Sequence, residues 1–125
     1  MNTMGILPGC IREQVVKEMI RTAKPGGAVV IGCWCADSFA AGVDRFYKRH
    51  PELCGTIDDS MVDLGSATLF NPDGPSGAYS SQWWTHGRVK NLFPSELRER
   101  VTTVSVSIGV FAVLRVNDSA ISCTF

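Results

Sequence analysis

The chain of 125 residues is about one domain long, and its 45 % apolar content is that of an ordinary globular protein. Its twelve basic and twelve acidic residues cancel, which excludes a whole-chain field favouring nucleic acid or an anionic membrane and leaves little protection against self-association. No stretch is long and apolar enough to span a bilayer, and "MNTMGILPGCIREQ" lacks the basic start and long apolar core of a secretory leader, so a cytoplasmic protein is expected.

The first segment, "MNTMGIL", is short, apolar at its ends and stopped by Pro8; it reads as the tip of a strand. Gly9 to Ala23 follows as a helix, with Ile11, Val15, Val16, Met19 and Ile20 on one face and Arg12, Glu13, Lys17, Glu18 and Arg21 mainly on the other. Lys24-Pro25 disfavours further helix, and Gly26-Gly27 permit a tight turn. "AVVIGC" (Ala28 to Cys33) is a continuous apolar run with a β-branched centre, the texture of a strand covered on both faces in a parallel sheet. Five cysteines cannot all pair within one chain, and without a secretion signal they are expected to be reduced. Cys33 and Cys35 share a face of the strand but lack C-x-x-C spacing and a second ligand pair, so no zinc site is expected.

"ADSFAAGVDRFYKRH" (Ala36 to His50) has the pattern of a helix capped by Asp37 or Ser38, striped by Phe39, Val43, Phe46 and Tyr47, and ended by Pro51. A polar, turn-rich stretch follows. "SATLFN" and "AYSSQWW" then read as short strands, separated by the turn residues of "PDGPSG". Thr85 is placed to cap a short helix, and Ser95 to start another turn. Val101 to Val116 alternates over Thr103 to Ser107, turns near Gly109 and continues as a second strand from Phe111. Strand tip, helix, buried strand, insertion with hairpin, short helix and two adjacent strands make an α/β chain with a mixed sheet.

This order, with the entry "RTAKPGGAVVIGCW" and the segment "GAYSSQWWTHGRVKNLF", resembles the C-terminal half of a class I S-adenosylmethionine-dependent methyltransferase domain. The resemblance covers residues 1 to 116. It implies a partial doubly wound, Rossmann-like sheet of parallel strands with an antiparallel C-terminal strand. Residues 1–125 would form a single partial domain, and residues 36–84 a helix-and-hairpin insertion acting as a substrate lid. The departure from the family is large: the glycine-rich loop and the acidic residue that hold the cofactor have no counterpart, because no G-x-G-x-G occurs. The chain is therefore expected to be a fragment, inactive alone.

The resemblance places S-adenosylmethionine near Asn2, Thr3 and Gly5, at the carboxyl end of the fourth strand, although Asn2 also reads as an ordinary turn residue. It places the acceptor, a small molecule, near Trp34, Asp37 and Trp83. Trp34 either walls that pocket or packs under the insertion. Trp83 and Trp84 are adjacent, so on a strand they face opposite ways. Asp58, Asp59 and Asp63 either favour a cationic amine or are a solvated loop. Nucleic-acid binding, nucleophilic catalysis by cysteine and metal binding are not expected. The alternative function is a non-catalytic half-domain that associates through an exposed sheet edge, with itself or with a missing N-terminal half.

Overall fold

The computed structural model describes residues 3–116. It opens on a helix, α1 (Thr3–Ile6), where a strand tip was expected. The cause is Arg12, on the next helix. Its Nε donates to the Leu7 carbonyl at 3.0 Å and its Nη2 to the Gly5 carbonyl at 3.4 Å, so the guanidinium gathers the preceding turn onto itself. That next helix, α2 (Gly9–Thr22), buries Val16 completely and half-buries Val15, Met19 and Ile20. Apart from half-buried Arg12, its charged residues stay outside, where Glu18 and Arg21 pair at 2.9 Å. The turn after it is closed by Gly27 N–H donating to the Lys24 carbonyl at 2.9 Å. Gly26 supplies the left-handed φ of 77° that this turn needs.

Three strands make the larger sheet: β1 (Ala28–Trp34), which enters from this turn, and the last two strands of the chain, Thr102–Val106 and Gly109–Arg115. The final strand lies in the middle, antiparallel to both neighbours, with Ala28 opposite Arg115 at one end and Trp34 opposite Gly109 at the other. This corrects the expected parallel, Rossmann-like arrangement. Every strand ladder among the described residues is antiparallel, and the one parallel pairing is the isolated bridge between Cys35 and Trp84. Two local events decide it. The last two strands are joined by only Ser107 and Ile108, with Ser107 at a left-handed φ of 55°, so the final strand folds straight back and takes one whole edge of β1. The segment that was to lie parallel at the other edge has curled into α1.

The sheet is covered on one face. Val29, Ile31 and Cys33 of β1 and Val110, Ala112 and Leu114 of the final strand are buried, together with Val16 from α2 and with Val89, Leu92 and Phe93. The other face is largely bare: Val30 is 53 % exposed, Val104 48 % and Val106 59 %. β1 was expected to be covered on both faces; it is covered on one. On the bare face the Phe111 ring lies against Gly32 and Gly109, where a Cβ would come within 2.8 and 2.9 Å of it. The missing side chains let the ring lie flat on the strands.

The rest of the chain builds a second core. After a 3₁₀ turn at Ala36–Ser38, helix α3 (Phe39–Arg45) runs only to Arg45. The longer helix expected through His50 breaks at Phe46, whose φ of −119° is off the helical value, and a 3₁₀ turn at Tyr47–Arg49 and a short helix α4 (Pro51–Cys54) follow. The break swings Tyr47 inward. Strands β2 (Val62–Asp63), β3 (Thr68–Asn71) and β4 (Tyr79–Gln82) form a second antiparallel sheet in that order. Buried Asn71 ties the hairpin loop of residues 72–78: its amide donates to the Cys54 carbonyl at 2.9 Å and its Oδ1 accepts from Asp73 N–H at 2.9 Å. Thr85 caps α5 (His86–Lys90) by accepting from Arg88 N–H at 3.2 Å. A 3₁₀ turn at Ser95–Arg100 leads to β5 (Thr102–Val106) and β6 (Gly109–Arg115).

Candidate functional site

Strand β1 ends at Trp34, on the bare face of its sheet. The main chain there is crossed by Trp84, two residues after β4. Trp84 N–H donates to the Trp34 carbonyl at 2.7 Å, and Ala36 N–H donates to the Trp84 carbonyl at 2.8 Å. These two bonds hold the end of β1 beside the end of β4, so Trp83 comes to Trp34 with ring centroids 4.8 Å apart in an edge-on arrangement. Phe46, at the break after α3, closes a third side at 6.1 Å from Trp34. Cys35 N–H donates to the Ile108 carbonyl at 2.6 Å, which brings in the turn between β5 and β6. Together with Ser38, Ala41, Gly42, Arg45 and Ile108, these rings enclose a cavity of about 400 Å³. It opens toward α3, where Ala41 and Arg45 are exposed.

The wall of this cavity is held rigidly. Trp83 Nε1 donates to Tyr47 Oη at 3.0 Å, and Tyr47 Oη in turn lies 2.8 Å from Ser81 Oγ. Burial pushes the Tyr47 hydroxyl above its usual pKa, so it stays neutral and available to the indole. Phe39 packs on the same indole at 5.7 Å. Gly42 matters because a Cβ there would collide with Trp83 Cη2. The glycine allows the helix and the indole to touch.

The cavity is apolar in its walls and sparse in charge. Arg45 is the only ionisable residue in its lining, and among the described residues it has no ion-pair or hydrogen-bond partner. No carboxylate, histidine or thiol lines it. Such a site can bind and orient a flat apolar molecule; it offers no group for proton transfer.

Of the residues expected at the acceptor, Trp34 and Trp83 are brought together here, while Asp37 is exposed in the turn before α3 and does not line the cavity. Of those expected at the donor, Asn2 lies outside the described residues. Thr3 and Gly5 fall in α1, and Gly5 is buried with its carbonyl facing Arg12. A buried helical glycine turned toward a guanidinium is not a backbone cradle for a charged nucleotide-like ligand. Gly5, so placed, does not supply that contact.

The acidic loop is used structurally. Asp58 caps the Asp59–Met61 turn, Asp59 pairs with Lys48 at 2.8 Å, and Asp63 accepts from Gly65 and Ser66 N–H. Cys33 and Cys35 point into the first core, and burial pushes the Cys33 thiol up to about 11, which makes it a poor nucleophile at neutral pH. His86 spans to β5, its ring nitrogens 2.9 Å from Thr103 Oγ1 and 2.5 Å from Ser105 Oγ. Among the described residues no cluster of three metal-ligating side chains occurs, and no helix is long and apolar enough to cross a membrane.

Phe46, Ala41, Gly42, Arg45 and Ile108 were not expected at the site. Phe46 belongs to the apolar stripe of the predicted helix, which carries no ligand-binding signal of its own. Nothing in the order of residues ties the β5–β6 turn to α3. Compared with protein-family models, with curated proteins and with solved structures, the chain matches none of them.

Proposed function

We propose that this chain is the acceptor-binding portion of an S-adenosylmethionine-dependent methyltransferase, and that it holds a small, flat aromatic molecule in the cavity between Trp34 and Trp83. The observation that carries this reading is the pre-organised aromatic wall of Trp34, Trp83 and Phe46 beside an apolar cavity, fixed by the hydrogen bond from Trp83 to Tyr47. Methyl transfer between two bound molecules depends mainly on positioning, and a rigid wall of this kind positions one of them. On this reading the donor is held outside the lining of this cavity.

Photo-crosslinking with methyl-labelled S-adenosylmethionine tests the reading on the native protein isolated from its source. Label is expected on the native polypeptide or its complex, and not on the purified 125-residue chain. A native assembly that takes no label, under conditions that label a known methyltransferase, would remove the methyltransferase reading. Micromolar binding of the donor by the isolated chain would remove the claim that the donor site lies elsewhere.

One observation favours a second reading, a half-domain that associates without catalysis. β1 is an outer strand of its sheet, and the bare sheet face beside it carries Val30, Val104 and Val106. Light scattering on the eluting chain discriminates: a stable, folded monomer at all concentrations counts against association.

A further inference from the structure

We infer that the cavity selects planar aromatic anions, of the class of a bicyclic aromatic carboxylate, over neutral and cationic molecules of the same shape. The inference rests on the acceptor-pocket reading only in taking this cavity as the ligand site.

Shape comes first. Dry cavities of about 150 Å³ admit a benzene ring, so the 400 Å³ here has room for two fused rings and a substituent. The faces and edges offered by Trp34, Trp83 and Phe46, set at 63° and 79° to one another, suit a flat ring better than a branched aliphatic chain.

Charge decides the class. Aromatic walls alone would also attract a cation. Here the cation site is already taken by the protein: Arg45 lines the cavity, has no partner among the described residues, and has no acidic neighbour in the lining. The acidic side chains nearest in sequence are committed or turned away: Asp44 reaches toward Lys48 at 3.9 Å, and Asp37 is exposed outside the lining. A guanidinium is suited to bidentate pairing with a carboxylate, and the open side on α3 is where the ligand's substituent would emerge. A cationic ligand would meet Arg45 with nothing to offset the repulsion.

Three naphthalene probes with one ring system separate the possibilities: 2-naphthoate, 2-naphthalenemethanol and 2-naphthylmethylammonium. The readout is the set of indole N–H resonances of the three tryptophans in the full chain. Naphthoate should shift Trp34 and Trp83 but not Trp84, which sits in the other core. It should bind about fivefold tighter than the alcohol, the ammonium more weakly than both, and the preference should fade with added salt. Arg45→Gln, an exposed change that leaves the core intact, should reduce the naphthoate preference to less than about twofold. Ala41→Phe, which fills the mouth from an exposed helix position, should abolish the shifts for all three probes.

Equal or tighter binding of the alcohol or the ammonium overturns the selectivity while leaving the acceptor pocket standing, as does a naphthoate preference that survives Arg45→Gln. Shifts that survive Ala41→Phe, or no binding by any probe, overturn the ligand site itself and the selectivity with it.

Discussion

Trp83 and Trp84 are neighbours in sequence and belong to two different cores. Trp83 is 2 % exposed in a cluster rich in rings, with its indole N–H bonded to Tyr47 and its ring touching Trp34 and Phe39. Trp84 is 3 % exposed in a mainly aliphatic cluster, with Arg12 lying 4.9 Å over its ring and no hydrogen-bond partner for Nε1. The difference shows two ways of holding an indole. One fixes the ring by a directed bond and orients it toward a cavity. The other uses it as apolar volume and as a seat for a cation, and leaves a buried donor unmatched. A site that must present a wall of definite shape uses the first.

The largest break in this comparison is Trp83→Ala, which removes the wall and the contacts it makes. A loss of about 3–5 kcal/mol is expected by urea unfolding, together with loss of probe binding. Tyr47→Phe is next. It strands a buried indole N–H, and about 1–3 kcal/mol should be lost, with Trp83 reoriented in its N–H resonance. Gly42→Ala should fall slightly lower. Overpacking against Trp83 costs about 1–3 kcal/mol, and a helix-propensity gain of about 1 kcal/mol offsets part of it. Trp84→Phe should cost a similar amount, about 1 kcal/mol, because no indole hydrogen bond is lost. If Trp84→Phe proves as damaging as Tyr47→Phe, the contrast between the two indoles fails.

A pH series sharpens the same contrast from the first core. In the unfolded chain the Cys33 thiol ionises near its ordinary 9; folded, it keeps its proton up to about 11. Between those values the unfolded chain has released a proton that the folded chain still holds, so stability falls as pH rises. Tyr47, raised by burial, adds to the fall in the second core at higher pH. Urea midpoints measured from pH 8 to 11 should decline, and Cys33→Ala should flatten the decline in its lower part. An unchanged profile in that variant would place the alkaline sensitivity elsewhere.

Local chemistry was legible where a single residue type is required. Pro25-Gly26 set the turn before β1, Thr85 caps α5, and the turn residues of "PDGPSG" lie between β3 and β4, which pair there. The apolar stripe of α2 identified the face that packs on the sheet, with Ile11 left exposed at its start. Where a local pattern has two solutions, distant contacts chose between them. The apolar run of β1 suits any strand with both faces covered, and it was assigned to a parallel sheet; the hairpin at Ser107 and Ile108 made it antiparallel and one face stayed bare. The helix from Ala36 is shorter than its stripe predicts: Tyr47 continues the stripe by spacing, but its hydroxyl is bonded to Trp83 across 36 residues of sequence.

The sequence by itself determined the turns, the caps, the amphipathic face of α2 and the aromatic residues available for a wall, because each of these depends on neighbours within a few positions. Only the tertiary structure decided which of three tryptophans meet, that Arg45 stands beside them without a partner, and that Asp37 does not. Those outcomes depend on two long-range pairings, Trp34 with Trp84 and Cys35 with Ile108, whose backbone hydrogen bonds carry no signature in side-chain order.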